Sequence, residues 1–146
     1  MAEFNDLLRG AGIQPEEVAV LRHHTPEPGA TRQSLFELWR EDRAGFELYQ
    51  ETQKLAQPLF RRRKFWAAFV SPARGETLFA GLYEASLRET GTPDWPCPYR
   101  GGPPGKGEVI DIFDTQLRPE LAEYIGNLLT LPSSSVSLDV LTMLPS

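Results

Sequence analysis

Residues 61–83 read Arg61-Arg62-Arg63-Lys64, Phe65-Trp66-Ala67-Ala68-Phe69-Val70, Ser71-Pro72-Ala73-Arg74-Gly75-Glu76 and Thr77-Leu78-Phe79-Ala80-Gly81-Leu82-Tyr83. Two apolar runs of strand length flank a segment whose Pro72 and Gly75 favour a turn, which predicts a β-hairpin. Along the first run Phe65, Ala67 and Phe69 point one way, and Trp66, Ala68 and Val70 the other. Both faces are apolar, so this strand is expected to be buried on both sides, as in a closed or half-closed barrel. Gly81 inside the second strand predicts a bulge or a close approach of another group, and Glu84 to Arg88 extends the strand past it.

Charge is distributed unevenly around this hairpin. The 146 residues carry a formal charge of −5. Residues 1–53 hold five Lys/Arg and ten Asp/Glu, residues 54–75 six and none, and residues 76–146 four and ten. The positive excess lies entirely in the segment that opens the hairpin. A local basic patch on an acidic chain steers a phosphate backbone to one face while the rest repels non-specific contact.

Length and composition predict one α+β domain over residues 1–131 and a Ser/Pro-containing tail over 132–146. A single Cys excludes an internal disulfide and a multi-Cys zinc site. Met1 is not followed by a basic, then apolar, leader, and no apolar run approaches the roughly 18 residues of a membrane span. A cytoplasmic, soluble protein is expected.

Outward from the hairpin, Glu3 to Arg9 has helical spacing, with Phe4, Leu7 and Leu8 on one face. Pro15-Glu16-Glu17 forms a turn feeding a strand through about His23. The Pro spacing of residues 24–29 predicts a loop. Thr31 is the expected N-cap of a helix to about Arg40, and Asp42 that of a second helix bearing Phe46, Leu48 and Tyr49. Gln50 to Pro58 reads as a connector. Glu89 to Gly107 reads as an irregular loop rich in Gly and Pro that also holds Trp95, Cys97 and Tyr99. Glu108 to Phe113 alternates as a strand, Asp114 begins a turn, Arg118 to Leu121 opens a short helix, and Gly126 to Leu131 forms a last strand.

Phe4-Asn5-Asp6-Leu7-Leu8, Val20-Leu21-Arg22-His23, Phe46 to Gln53, Trp66 to Val70 and Leu78 to Tyr83 occur in an order that resembles a known family. That family is the amino-terminal domain of bacterial GIY-YIG nuclease family proteins, and the likeness covers roughly residues 1–130. Leu117 to Leu129 also resembles a Leu-Gly-containing segment of that family. The resemblance implies a PUA-like, sheet-rich domain and a setting in restriction or defence. In the family a Trp-Gly-containing stretch and the nuclease follow. Here a Ser-rich tail follows Leu129, so nuclease chemistry does not carry over.

No complete catalytic motif is present. Tyr124-Ile125-Gly126 has no upstream Gly-Ile-Tyr, and a motif needs its structural context. Gly101 to Gly107 fails as a phosphate loop because Arg100 occupies the first Gly position, no Ser/Thr follows Lys106, and two Pro remove amide donors. His23 and His24 face opposite sides of a strand and cannot chelate one ion together. Asp111 and Asp114, offered with Glu108 as magnesium ligands, also fall on opposite faces of one strand. Cys97 has no activating base beside it. No metal or cofactor is expected.

The sequence therefore predicts an α+β domain with a strongly curved, mainly antiparallel sheet or PUA-like pseudo-barrel and amino-terminal helices packed outside it. The expected function is DNA recognition, as a reader of a modified or flipped base. Arg61, Arg62, Arg63, Lys64 and Arg74 are the expected phosphate contacts. Trp66, Tyr83, Trp95 and Tyr99 are the expected base pocket, since planar bases stack on aromatic rings. The alternatives are a domain that docks an acidic protein partner through the same basic patch, and a nuclease-associated fragment.

Overall fold

A computed structural model describes residues 3–23, 34–55, 58–73, 75–92 and 108–129. Among these residues five strands form one strongly curled sheet, a half-barrel with four helices packed against it. The strands are β1 (Val18–His23), β2 (Thr52–Lys54), β3 (Phe65–Val70), β4 (Leu78–Gly91) and β5 (Ile110–Leu117). The helices are α1 (Phe4–Gly10), α2 (Leu35–Glu41), α3 (Arg43–Gln50) and the single turn α4 (Leu59–Arg62).

The spatial order is β1-β3-β4-β5-β2. β1 runs parallel to β3, with Val18 beside Phe65 and His23 beside Val70. The other pairings are antiparallel. A parallel pair needs a long crossover, and α2, α3, β2 and α4 all lie between β1 and β3 in the chain.

Every residue of β3 is buried, because both faces of the sheet are covered there. On one face Phe4 of α1 meets Phe69 edge-on at 5.0 Å and Phe79 at 5.5 Å. On the other, Trp66 packs between Phe60 of α4 and Phe113 of β5, at 5.1 and 4.7 Å. His23 meets Phe46 of α3 at 5.3 Å on that same side. The two-sided apolar pattern of Phe65 to Val70 thus has its expected cause.

Gly81 sits at a register shift, since Ala68 pairs with Gly81 and Phe69 with Phe79. Its φ is +146°, and a Cβ there would stand 2.9 Å from Leu117 Cδ1. Both expectations for this glycine, a bulge and a close neighbour, hold together. A second shift lies between Leu87 and Glu89.

Several boundaries differ from the sequence reading. The Ser34 side chain, not Thr31, caps α2: its hydroxyl accepts from Glu37 N–H while Glu37 reaches back to Ser34 N–H. This is the reciprocal cap that Ser-x-x-Glu makes possible. Thr31 lies outside the described residues. Asp42 caps α3 as expected, accepting from Gly45 N–H at 3.0 Å. The supposed connector 50–58 contains β2, which pairs with β5. β4 runs on to Gly91, so residues 89–91 are strand rather than loop. Asp114 to Gln116 continues β5 instead of turning. Near the carboxyl end, Leu128 makes an isolated bridge to Leu78 in place of a strand within the described residues. The tail 132–146 lies outside the described residues.

Trp66→Ala is expected to cost about 3–5 kcal/mol of stability, as for other buried aromatic truncations. Gly81→Ala is expected to cost about 1–3 kcal/mol through its backbone conformation. Urea melts followed by circular dichroism check both.

Candidate nucleic-acid interface

The basic run does not enter the hairpin as an extended strand. Arg61 and Arg62 form the last turn of α4, and Arg63 and Lys64 lead from it into β3. Leu59 and Phe60 are buried and pin the turn to the sheet, which leaves the cations at its outer end.

Arg61 is the best-defined of them. Its Nε donates to Asp111 Oδ2 and its Nη2 to Asp111 Oδ1, both at 2.6 Å. Thr90 Oγ1 donates to the same Oδ1 at 2.7 Å. Thr90 and Asp111 are cross-strand partners near the end of the β4–β5 pairing. The Asp111 side chain is 2% exposed and that of Arg61 45% exposed. A buried carboxylate therefore holds a half-exposed guanidinium by its paired edge, the strong bidentate geometry. The hydrogen bonds from Arg61 keep the Asp111 carboxyl below the usual aspartate range, against the opposing effect of burial.

The neighbours have different environments. Arg63 donates through Nη1 to the carbonyl of Glu16, in the 3-10 turn that precedes β1. Lys64 Nζ lies 5.2 Å from the centre of the Phe65 ring and its side chain is exposed. Arg62 is exposed, with no hydrogen bond or ion pair among the described residues. Of the five cations expected to contact phosphate, Arg61, Arg62 and Lys64 are exposed, while Arg63 braces the 3-10 turn. Arg74 lies outside the described residues.

The aromatic candidates are placed otherwise. Trp66 is 0% and Tyr83 1% exposed, so neither ring offers a face on which a base could stack. Trp66 belongs to the core cluster with Phe60 and Phe113. Tyr83 donates to Glu47 Oε2 at 2.7 Å; burial and then that carboxylate push its hydroxyl pKa far above the usual tyrosine value. Trp95, Tyr99 and Cys97 lie outside the described residues.

Other polar residues serve the fold. The His23 ring is buried, with Nε2 3.2 Å from Gln50 Oε1; His24 lies outside the described residues. Asp114 faces away from Asp111 and stands 3.7 Å from Arg88. Glu51 Oε2 accepts from Thr115 N–H at 3.0 Å and Thr115 Oγ1 at 2.7 Å. Burial raises the Glu51 pKa despite those bonds. Among the described residues no group of three or more His, Cys, Asp or Glu is placed to hold a metal ion, and no helix is long and apolar enough to cross a membrane.

Comparison with protein-family models, with curated proteins and with solved structures returns no match.

Sequence reasoning missed the role of Asp111 and Thr90 as the seat of Arg61. The pair spans fifty positions of chain, and no local pattern links them. The one available signal was an aspartate in an otherwise apolar strand, Val109-Ile110-Asp111-Ile112-Phe113, because a buried charge needs a partner.

Asp111→Asn is expected to lower the melting temperature at neutral pH. A carboxylate whose folded pKa is depressed contributes its stability above its unfolded pKa and loses it as pH falls through the folded value. The variant should therefore show a shallower loss of stability on acidification below the ordinary aspartate range. Thermal melts across acidic pH test this. Glu51, whose pKa is raised, acts in the opposite sense, losing its contribution as pH rises above the ordinary glutamate value, so Glu51→Gln on the same plots separates the two.

Proposed function

We propose that this domain is a nucleic-acid recognition module that grips the phosphate backbone at the α4 end of its sheet. One observation carries the reading: Arg61 is held by its Nε and Nη2 edge on Asp111, which leaves Nη1 to an incoming oxygen, beside exposed Arg62 and Lys64. A guanidinium fixed before binding loses little side-chain freedom when it meets a phosphate. The acidic remainder of the chain favours contact through this face alone.

Gly91 and Ile110, the last paired residues of β4 and β5, lie next to Thr90 and Asp111. The connection that carries Trp95 and Tyr99 therefore leaves and rejoins the sheet beside Arg61. In this reading any base stacking falls to those two rings, since Trp66 and Tyr83 are spent in the core. The resemblance to the amino-terminal domain of GIY-YIG nuclease family proteins supports a PUA-like reader of a modified or flipped DNA base. It also supports a cytoplasmic role in restriction or defence.

Three phosphate contacts predict a log–log salt slope of about −2.7 on duplex DNA. Arg62→Ala with Lys64→Ala should weaken binding and reduce that slope by about 2. Mobility-shift titrations of plain and modified duplexes at several salt concentrations measure both. Absence of binding, or a slope unchanged in the double variant, overturns the proposal and leaves docking of an acidic protein as the use of this patch.

A further inference from the structure

A flat, exposed group that carries a nucleobase need not be an aromatic ring, because an arginine guanidinium plane serves as well. The α2–α3 pair holds such a plane. Arg43, the first residue of α3, folds back over Trp39 of α2. Its guanidinium carbon lies 4.3 Å from the centre of the Trp39 ring, and its Nε donates to the Trp39 carbonyl at 3.0 Å. Trp39 is 8% exposed and belongs to the core, so the plane rests on a fixed support. Arg43 itself is exposed, and Nη1 and Nη2 bond to nothing among the described residues. The arrangement repeats beside it. Arg40 lies over the Phe36 ring at 5.2 Å, and that ring is 6.2 Å from Trp39.

The surroundings select the occupant. Arg61 is held by a carboxylate, whereas Arg43 is held by two neutral groups, a ring and a carbonyl. The usual helical partner of Arg43 at i+4 is Glu47, but Glu47 accepts from the Tyr83 hydroxyl instead. Residues 35–50 nevertheless hold two Arg and four Asp/Glu. Glu37 and Asp42 cap the two helices, and Glu41 stands 3.5 Å from Arg40. A phosphate would be repelled by these carboxylates. A nucleobase is neutral and flat, and its ring face is attracted to a cation, so it suits this position where an anion does not.

We infer that Arg43, seated on Trp39, is a stacking platform for an unpaired nucleobase, separate from the phosphate grip at α4. The inference rests on the nucleic-acid reading above and adds to it a described surface that takes a base by its face.

Fluorescence anisotropy titrations with three probes test it: a thymine oligonucleotide, an abasic strand of the same length and a fully paired duplex. The wild-type chain is expected to bind the thymine strand more tightly than the abasic one. Arg43→Lys keeps the charge and removes the plane. It should weaken binding to the thymine strand about tenfold, leave the salt slope unchanged, and leave the abasic strand unaffected. A loss on the thymine strand alone identifies a single-stranded source of the base. A loss that extends to the duplex identifies a base flipped out of its stack. Arg43→Lys binding the thymine strand as the wild type does overturns the inference. So does an equal loss on the abasic strand, which reports a disturbed fold. A wild type that binds both strands equally, with the salt slope intact, overturns the platform and leaves the phosphate grip standing. Absence of binding to every probe overturns both.

Discussion

Exclusion of water from both faces of β3 is the constraint on which the rest of the molecule depends. A strand with apolar residues at every position has no polar side to turn outward, so each face has to find a cover. α1 supplies one through Phe4, and α3, α4 and the curl of β5 supply the other through Phe46, Phe60 and Phe113. The curvature follows, because a flat sheet could not bring Phe113 of β5 back onto Trp66 two strands away. Its neighbours β1 and β4 then complete the ladder on either edge.

α4 is shaped by the same demand. Its apolar half closes the core beside Trp66, which forces the following residues to the surface, and those residues are cations. Arg61 is consequently anchored by the interior while its head group faces out. The Asp111 carboxylate gives that anchoring direction as well as strength. The basic patch and the core are thus two ends of one short helix, and changes to Leu59 or Phe60 would be felt at the guanidiniums.

The sheet core was legible in the chain because it rests on local pattern. Alternation over Phe65 to Val70, the turn residues after it, the glycine bulge at Gly81 and the Asp42 cap are all readable within a few residues. What escaped notice depends on contacts distant in sequence. β2 is three residues long and exists through its pairing with β5, which no local propensity announces. α4 is a single turn held by the packing of Leu59 and Phe60. Trp66 and Tyr83 looked like pocket rings because residue type does not show which face receives a helix. Arg61 looked free because Asp111 is fifty positions away.

The route from β1 to β3 shapes how the sheet can assemble. β3 and β4 are joined by the short connection 71–77, whereas β1 reaches its parallel partner only after residues 24–64 have been looped out. Closing that longer span costs more chain entropy before any ladder bond forms in return. The hairpin is therefore the natural seed, and the amino-terminal strand is the plank laid last, with its burial waiting on the α3 and α4 helices that travel the same span.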